Sequence, residues 1–300
     1  PGGLSFRDFM EEALYGDGGY YMRPRKKTGT GLDADFATSP TLHPFFGEAV
    51  GNQLAKEWES AGHPDPFLVC EFGGGEGDLA RNAVSRLQAL GVRVQWTHVE
   101  ISPFHQEKQA AGGAVRSAPR CEEAHVVVAH EFLDALPFRW LKQGKEMVLT
   151  PEGWAAREPT TPIPDFARDC PEYALMDAIP NWLDSLPPCT LLVIDYGGRF
   201  EALPQSSVVR GYANHEHADP LQSPGEVDIT ASVDFSYLAT LAQERSLETQ
   251  EAFLIRNGAF EAIAAHPQET LEDMSAFLRL KQLILPTGFG HFRVATYRIQ

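Results

Sequence analysis

The sequence predicts an α/β fold built on a doubly wound, mostly parallel, Rossmann-like sheet, and three observations carry that expectation. From Pro66 onward, apolar runs of strand length alternate with segments of helical periodicity. Some of these runs are apolar on both faces, as strands covered by helices on both sides must be. The first run, FLVCEF at 67–72, leads straight into GGGEG at 73–77 and then into a helix pattern. In open sheets, ligands bind at such strand ends.

The elements follow in chain order. Residues 4–15, LSFRDFMEEALY, repeat Phe6, Phe9, Met10, Ala13 and Leu14 at helical spacing, with Glu11 and Glu12 outside. A segment rich in Gly, Tyr and basic residues and then LDADFATSP precede a second helix, from about Leu42 to Ser60, with Phe46, Val50, Leu54 and Trp58 as its buried stripe. Residues 1–62 thus read as an N-terminal helical cap and 63–300 as the sheet domain. After FLVCEF come a helix, DLARNAVSRLQAL, with Leu79, Ala83, Leu87 and Leu90 on one side, and a strand, VQWTHVE. SPFHQEKQAA opens another helix, and Val126 to Ala129 form the next strand. The proline-rich segment 138–189 reads as an insertion before the strand TLLVIDYGG. DFSYLATLAQER reads as a helix, and HFRVATYRI as a terminal strand preceded by the helix AFLRLKQLI.

Composition narrows the function classes. The 41 acidic and 25 basic side chains give a formal net charge of -16, which excludes broad contact with nucleic-acid backbone. The local basic run MRPRKKTG at 22–29 reads as a solvated face or a partner contact. No apolar stretch is long enough to span a membrane, and no secretory signal is visible. Cys70, Cys121, Cys170 and Cys189 form no CxxC pair and read as reduced thiols in an intracellular compartment. A cytoplasmic location is expected, or the mitochondrial matrix if a transit peptide has been removed.

The loop after the first strand is the chemical question. A phosphate-binding loop needs GKS or GKT, whereas Gly77 is followed by Asp78. The dinucleotide pattern GxGxxG fits poorly, since Gly73, Gly75 and Gly77 give GxGxG. Glu71, Glu76 and Asp78 would repel a pyrophosphate at the helix N-terminus. They suit a ligand with positive charge and free hydroxyls. Glu100, at the end of VQWTHVE, stands where a carboxylate accepts hydrogen bonds from ribose hydroxyls. An adenosyl sulfonium, S-adenosylmethionine, fits these features; a ligand-free glycine turn and NAD are the alternatives.

Further blocks make a resemblance visible: FMEEALYGDGGYYMR (9–23), DADFATSPTLHPFFGE (33–48), EFGGGEGDLA (71–80), VEISPFHQEKQ (99–109), HEFLDALP (130–137), LLVIDYG (191–197) and RGYANHEHADPLQSPGEVDITASVDF (210–235). Almost end to end, the chain resembles the MidA/NDUFAF7 (DUF185) family of class I methyltransferases, whose mitochondrial members act as protein-arginine methyltransferases. The resemblance implies that Glu71, Gly73, Gly74, Gly75, Gly77, Glu100, Ile101 and His130 hold S-adenosylmethionine, with Phe36, Thr38 and Ser39 closing over it. S-adenosylhomocysteine would be the product. The chain departs from the family at Gly74 (proline in the family), Thr41 (glutamate), His130 (asparagine) and Ser232 (histidine). Gly74 is expected to loosen the loop.

Methyl transfer is an in-line displacement that needs no metal, and none is expected. The candidate catalytic residues are Glu131 and Asp134, to orient the acceptor, and His130, as a base or an adenine contact. His215 and Asp228, in the acceptor-side loop 205–230, complete the set. His215, His217 and Asp228 are metal-ligand types, but their spacing is not specific. The acceptor is expected to be a protein side chain, arginine by resemblance, or else a small molecule; a non-catalytic assembly protein is the third reading. Self-association as a homodimer stays open.

Overall fold

In the computed structural model, residues 3–23, 37–112, 115–213, 216–267 and 269–300 are described. Seven strands build the main sheet: β1 (Phe67–Phe72), β2 (Val94–Val99), β3 (Arg116–Ala118), β4 (Val126–His130), β5 (Cys189–Asp195), β6 (Gln243–Thr249) and β7 (Arg293–Ile299). Their spatial order is β3-β2-β1-β4-β5-β7-β6. The first five are parallel, and β7 runs antiparallel to both β5 and β6. Strand order reverses direction between β1 and β4, so the crevice at their C-terminal ends is the topological switch point where such sheets bind ligands.

Side-chain alternation sorts each strand into two faces. Phe67 and Val69 of β1, Trp96 of β2, Val126 and Val128 of β4, and Leu192 and Ile194 of β5 join one buried apolar cluster. The helices Phe45–Ser60, Asp78–Ala89, Gln250–Arg256, Ala259–Ala265 and Leu271–Ile284 contribute most of the rest, with Leu42, Val92 and Val294. Helix Phe45–Ser60 approaches helix Asp78–Ala89 closely through Gly47 and Gly51, where a Cβ would meet Asn82 Cβ at 2.5 Å and Arg86 Cβ at 2.9 Å. Of the expected stripe, Phe46, Val50 and Leu54 are fully buried and Trp58 is partly buried, while Leu90 lies beyond its helix and is 43% exposed.

The expectation of a sheet covered on both sides fails over β1–β3. The connection 119–125 between β3 and β4 contains no helix, and the face opposite the apolar cluster opens into a cavity of about 770 Å³. Strand β6 also departs from expectation. The helix expected over 234–245 ends at Leu241, and QERSLET is an edge strand whose polar, irregular pattern carries no apolar alternation.

The chain divides into two compact units. The sheet unit comprises Lys26–Phe132, Ser185–Tyr196 and Ala242–Gln300; the other comprises Pro1–Arg25, Leu133–Asp184 and Gly197–Leu241. In the latter, Lys145–Thr150 pairs antiparallel with Leu4–Ser5, Arg139–Lys142 and Gly153–Arg157, and Arg139–Lys142 pairs with Glu172–Leu175. A second small sheet sets Arg210–Ala213 between Glu216–Ala218 and Asp228–Thr230. Helix Phe6–Tyr15 starts where Ser5 accepts the Asp8 backbone N–H. It buries Phe6 against the rings of Phe138, Trp140 and Trp154, with centroids 5.3, 5.4 and 5.6 Å away.

This division differs from the expected boundaries at the N-terminus. The two N-terminal helices do not share one cap, because the Phe6–Tyr15 helix packs on residues of the 138–157 region and Phe45–Ser60 packs on the Asp78–Ala89 helix. The segment 138–189 lies between β4 and β5 in chain order and, as far as Asp184, belongs to the second unit. It holds four antiparallel strands, two of them joined by a buried, bidentate Arg139–Glu146 pair, and the short helices Asp165–Arg168 and Ile179–Asp184. Pro159, Pro162, Pro164, Pro187 and Pro188 lie in the connections 159–164 and 187–188, Pro151 and Pro171 in turns and bends, and Pro180 in the helix Ile179–Asp184. Among the described residues, no helix is long and apolar enough to cross a membrane.

Candidate active site

The glycine loop runs from the end of β1 to the helix Asp78–Ala89. Gly73, Gly75 and Gly77 have φ of 66°, 51° and 83°, the left-handed region that costs an L side chain about 1–2 kcal/mol. At Gly75 a Cβ would meet nothing within 4 Å, so a ligand can approach this backbone directly. The Gly75 carbonyl accepts a 2.8 Å hydrogen bond from Gln109 Nε2, and Gly73 N–H donates to the Val99 carbonyl at 3.0 Å.

Beneath the loop, Glu71 is turned into the core, 2% exposed. Its Oε2 accepts from Trp96 Nε1 at 2.9 Å and pairs with His98 Nε2 at 2.8 Å. The register of β1 against β2 places Glu71 beside His98, which is fully buried. Burial pushes the His98 imidazole down, but the adjacent Glu71 carboxylate, reinforced by its hydrogen bond, more than reverses this and the pKa is raised. Glu71 therefore anchors the loop from below, and its expected direct contact with ligand ammonium is limited by the two donors already on Oε2. Sequence reasoning missed Trp96, His98 and Gln109. The alternation of VQWTHVE, which puts Trp96 and His98 on the face of Val94, was the available signal.

Gly74 also has a packing reason. A Cβ there would come within 2.8 Å of His98 Nε2. The imidazole has taken the space a proline ring would need, so the glycine and the histidine form one packing solution.

At the end of β2, the Glu100 side chain is 5% exposed and already engaged. Oε1 accepts the Ser102 backbone N–H at 2.9 Å, and Oε2 lies 3.7 Å from His105 Nδ1. A carboxylate offers about four lone-pair sites, so capacity for two hydroxyl donors is left. Next to it, Ile101 is 58% exposed, an apolar side chain at a strand end suited to a flat ring.

At the end of β4, His130 is 8% exposed and its ring lies 5.1 Å from that of Phe46. Glu131 follows with φ 46°. The other described non-glycine residues of positive φ, His63, Gln143, Ser207 and Ser223, lie in turns and loops, whereas Glu131 directly ends a buried strand. Its backbone N–H donates to the Ile194 carbonyl at 2.8 Å, which fixes the bend. Glu131 Oε1 comes within 3.2 Å of His130 Nε2, yet the two atoms are not aligned and neither makes a hydrogen bond.

The remaining candidates separate. Ser39 is fully buried and donates to Gln250 Oε1 at 3.1 Å, which takes it away from any surface a ligand could meet. Thr38 starts the short helix Ser39–Leu42, and Thr41 supplies the capping hydroxyl that accepts its backbone N–H at 3.0 Å, so the loss of the family's glutamate is compensated locally. In the other unit, Thr230 Oγ1 donates to Asp134 Oδ2 at 2.6 Å and Tyr21 OH donates to Asp228 Oδ1 at 2.8 Å. Burial, and then the charge of Asp228, raise the Tyr21 pKa well above its ordinary value. Ser232 accepts from Arg210 at 2.9 Å where the family has histidine. Phe36, His215 and most of the basic run 22–29 lie outside the described residues. No cluster of three or more metal-ligand side chains is found among the described residues.

Comparison with known proteins gives this geometry its context. The family described as "Putative S-adenosyl-L-methionine-dependent methyltransferase" matches residues 49–158 and 171–253. The protein arginine methyltransferase NDUFAF7 homolog of Drosophila melanogaster is 28% identical, over 81% of this chain and 68% of its own. NDUFAF7 of Xenopus tropicalis is 27% identical, over 94% and 77%. A likely methyl transferase from Burkholderia thailandensis, solved with S-adenosyl-homocysteine, superposes with a TM-score of 0.87 and 26% identity, over 100% of this chain and 89% of that one. The open left-handed backbone at Gly75, the carboxylate of Glu100 and the exposed Ile101 fit an adenosyl sulfonium. With its glycine loop at the switch point of a β3-β2-β1-β4-β5-β7-β6 sheet, the chain belongs to the MidA/NDUFAF7 family of S-adenosylmethionine-dependent methyltransferases.

Proposed function

We propose that this methyltransferase modifies a protein side chain, arginine above others, and that Glu131 orients the acceptor. The observation that carries the reading is the left-handed backbone of Glu131 at the end of β4, with a carboxylate oxygen that no hydrogen bond holds. Strain of this kind costs about 1–3 kcal/mol and persists where the surrounding structure and the function demand it. S-adenosylmethionine supplies the electrophilic methyl group. The chain's own residues then hold and aim: Glu100 for the ribose, Ile101 against the adenine, and the Gly73–Gly77 backbone for the amino-acid end. A guanidinium is planar and multiply donating, so a carboxylate can fix its orientation through charge-assisted hydrogen bonds. Asp134, which accepts from Thr230, and Asp228, which accepts from Tyr21, are proposed as further catalytic carboxylates. The relatives named protein arginine methyltransferases support the acceptor class, and their names also place them in mitochondria, the compartment proposed here.

A small-molecule hydroxyl or amine acceptor is the second reading, favoured by the unbonded Nε2 of His130, which could take a proton. One experiment separates the two. With methyl-labelled S-adenosylmethionine and a fractionated cell extract, label is expected in protein and, after hydrolysis, in methylarginine. Label confined to small molecules, or to another side chain, would overturn the arginine assignment.

A further inference from the structure

The helix Pro103–Gly112 follows Glu100 and Ile101 and differs from the other helices of the sheet unit. Those helices send apolar side chains into the cluster on one face of the sheet, and this one sends none. Of residues 103–111 only His105 and Gln109 are buried, and Ser102, just before the helix, is buried with them. The spacing 102, 105, 109 puts all three on one helical face. Burying polar side chains costs free energy unless partners are supplied, so the meaning of this face lies in what it bonds.

At its first turn the helix holds Glu100. The Ser102 backbone N–H donates to Glu100 Oε1 at 2.9 Å, His105 Nδ1 lies 3.7 Å from Oε2, and Gln106 Nε2 donates to the Glu100 carbonyl at 2.6 Å. One turn further, about 6 Å along the axis, Gln109 Nε2 donates to the Gly75 carbonyl at 2.8 Å. A peptide group is planar and trans, so its N–H points opposite to its C=O. With the Gly75 carbonyl drawn toward the helix, the N–H of the same peptide group, that of Glu76, is turned away from it. Among the described residues that N–H has no partner.

We infer that Gln109 is a positioning residue for S-adenosylmethionine, acting through Gly75 to aim the Glu76 N–H at the carboxylate of the cofactor's amino-acid end. The helix is then a strut between the two ends of the site. Its first turn sets the acceptor for the ribose, and its next turn sets the donor for the carboxylate. The sulfonium lies between those ends, so the strut also fixes where the methyl group is presented, as an in-line displacement requires. The inference rests on Glu100 as the ribose acceptor and on the Gly73–Gly77 loop as the seat of the amino-acid end.

Two ligands separate the ends of the site. S-adenosylhomocysteine carries both, whereas methylthioadenosine keeps the adenosine and lacks the amino-acid end. Gln109→Met keeps the side-chain length and removes the donor. Calorimetry on the intact chain should find it binding S-adenosylhomocysteine about 10-fold more weakly, with methylthioadenosine within about twofold of wild type. Gln109→Ala should show the same selective loss, and Glu100→Ala should weaken both ligands by similar factors. If the Gln109 variants bind S-adenosylhomocysteine as well as wild type, or lose both ligands equally while melting like wild type, Gln109 does not position the amino-acid end. If Glu100→Ala weakens neither ligand, the reading of the site falls and the strut with it. A variant that melts early is set aside, and the other Gln109 substitution decides.

Discussion

Two neighbouring strand ends of this protein carry the same pair of residue types and use them in opposite ways. At the end of β1, Glu71 and His98 meet at 2.8 Å, fully buried, with Trp96 completing the contact. At the end of β4, Glu131 and His130 come within 3.2 Å without a hydrogen bond, on a backbone bent into the left-handed region. A carboxylate whose partners are supplied by the fold holds structure together. One whose partners are withheld is available to something the fold does not contain.

The contrast can be broken by substitution. His98→Ala removes one partner of a buried carboxylate, and breaking such pairs costs about 3–5 kcal/mol. A denaturant titration should show a loss of that order, and a loss below about 1 kcal/mol would mean Glu71 is not the anchor described. Glu131→Gln should leave folding and cofactor affinity near wild type while lowering methyl transfer by about 100-fold or more, the usual effect of losing an electrostatic contact made at the reacting centre. Full turnover in that variant would remove Glu131 from the proposed mechanism.

Glu100→Ala lies between these cases, because its carboxylate has structural partners and spare capacity. Calorimetry should find S-adenosylmethionine bound about 10-fold more weakly or worse, as expected for lost hydrogen bonds to a charged group. Equal affinity would mean the ribose is held elsewhere. The smallest effect concerns pH. Because the folded-state pKa of His98 is raised, its contribution to stability is complete below the unfolded value of about 6.5 and is lost as pH rises through the folded value. Stability should therefore decline on the alkaline side of about pH 6.5, and the decline should shrink in Glu71→Gln. An unchanged pH profile in that variant would uncouple the two residues.

Much of this was legible in the chain. Phe6, Phe9, Met10, Ala13 and Leu14 are all buried as their spacing requires, and FLVCEF is a strand to the residue. Strong periodicity and uninterrupted apolar runs survive folding because burial enforces them. The edge strand Gln243–Thr249 was not legible, since an edge needs no apolar alternation and its polar side chains resemble a helix surface. In the site, single-residue chemistry was readable but pairing was not. Glu71 could be picked out as an acid before glycines, yet its engagement with His98 depends on the register of β1 against β2, which local sequence does not encode. Similarly, the opening over β1–β3 follows from a connection too short to supply a helix, and shows only once strand order is known.

The bend at Glu131 sets selection for robustness against selection for turnover. Glycine at that position would relieve the backbone and, if nothing else changed, make the chain sturdier by about 1 kcal/mol. A library of variants ranked by heat resistance alone is thus expected to enrich Glu131→Gly and return proteins that survive well and work poorly.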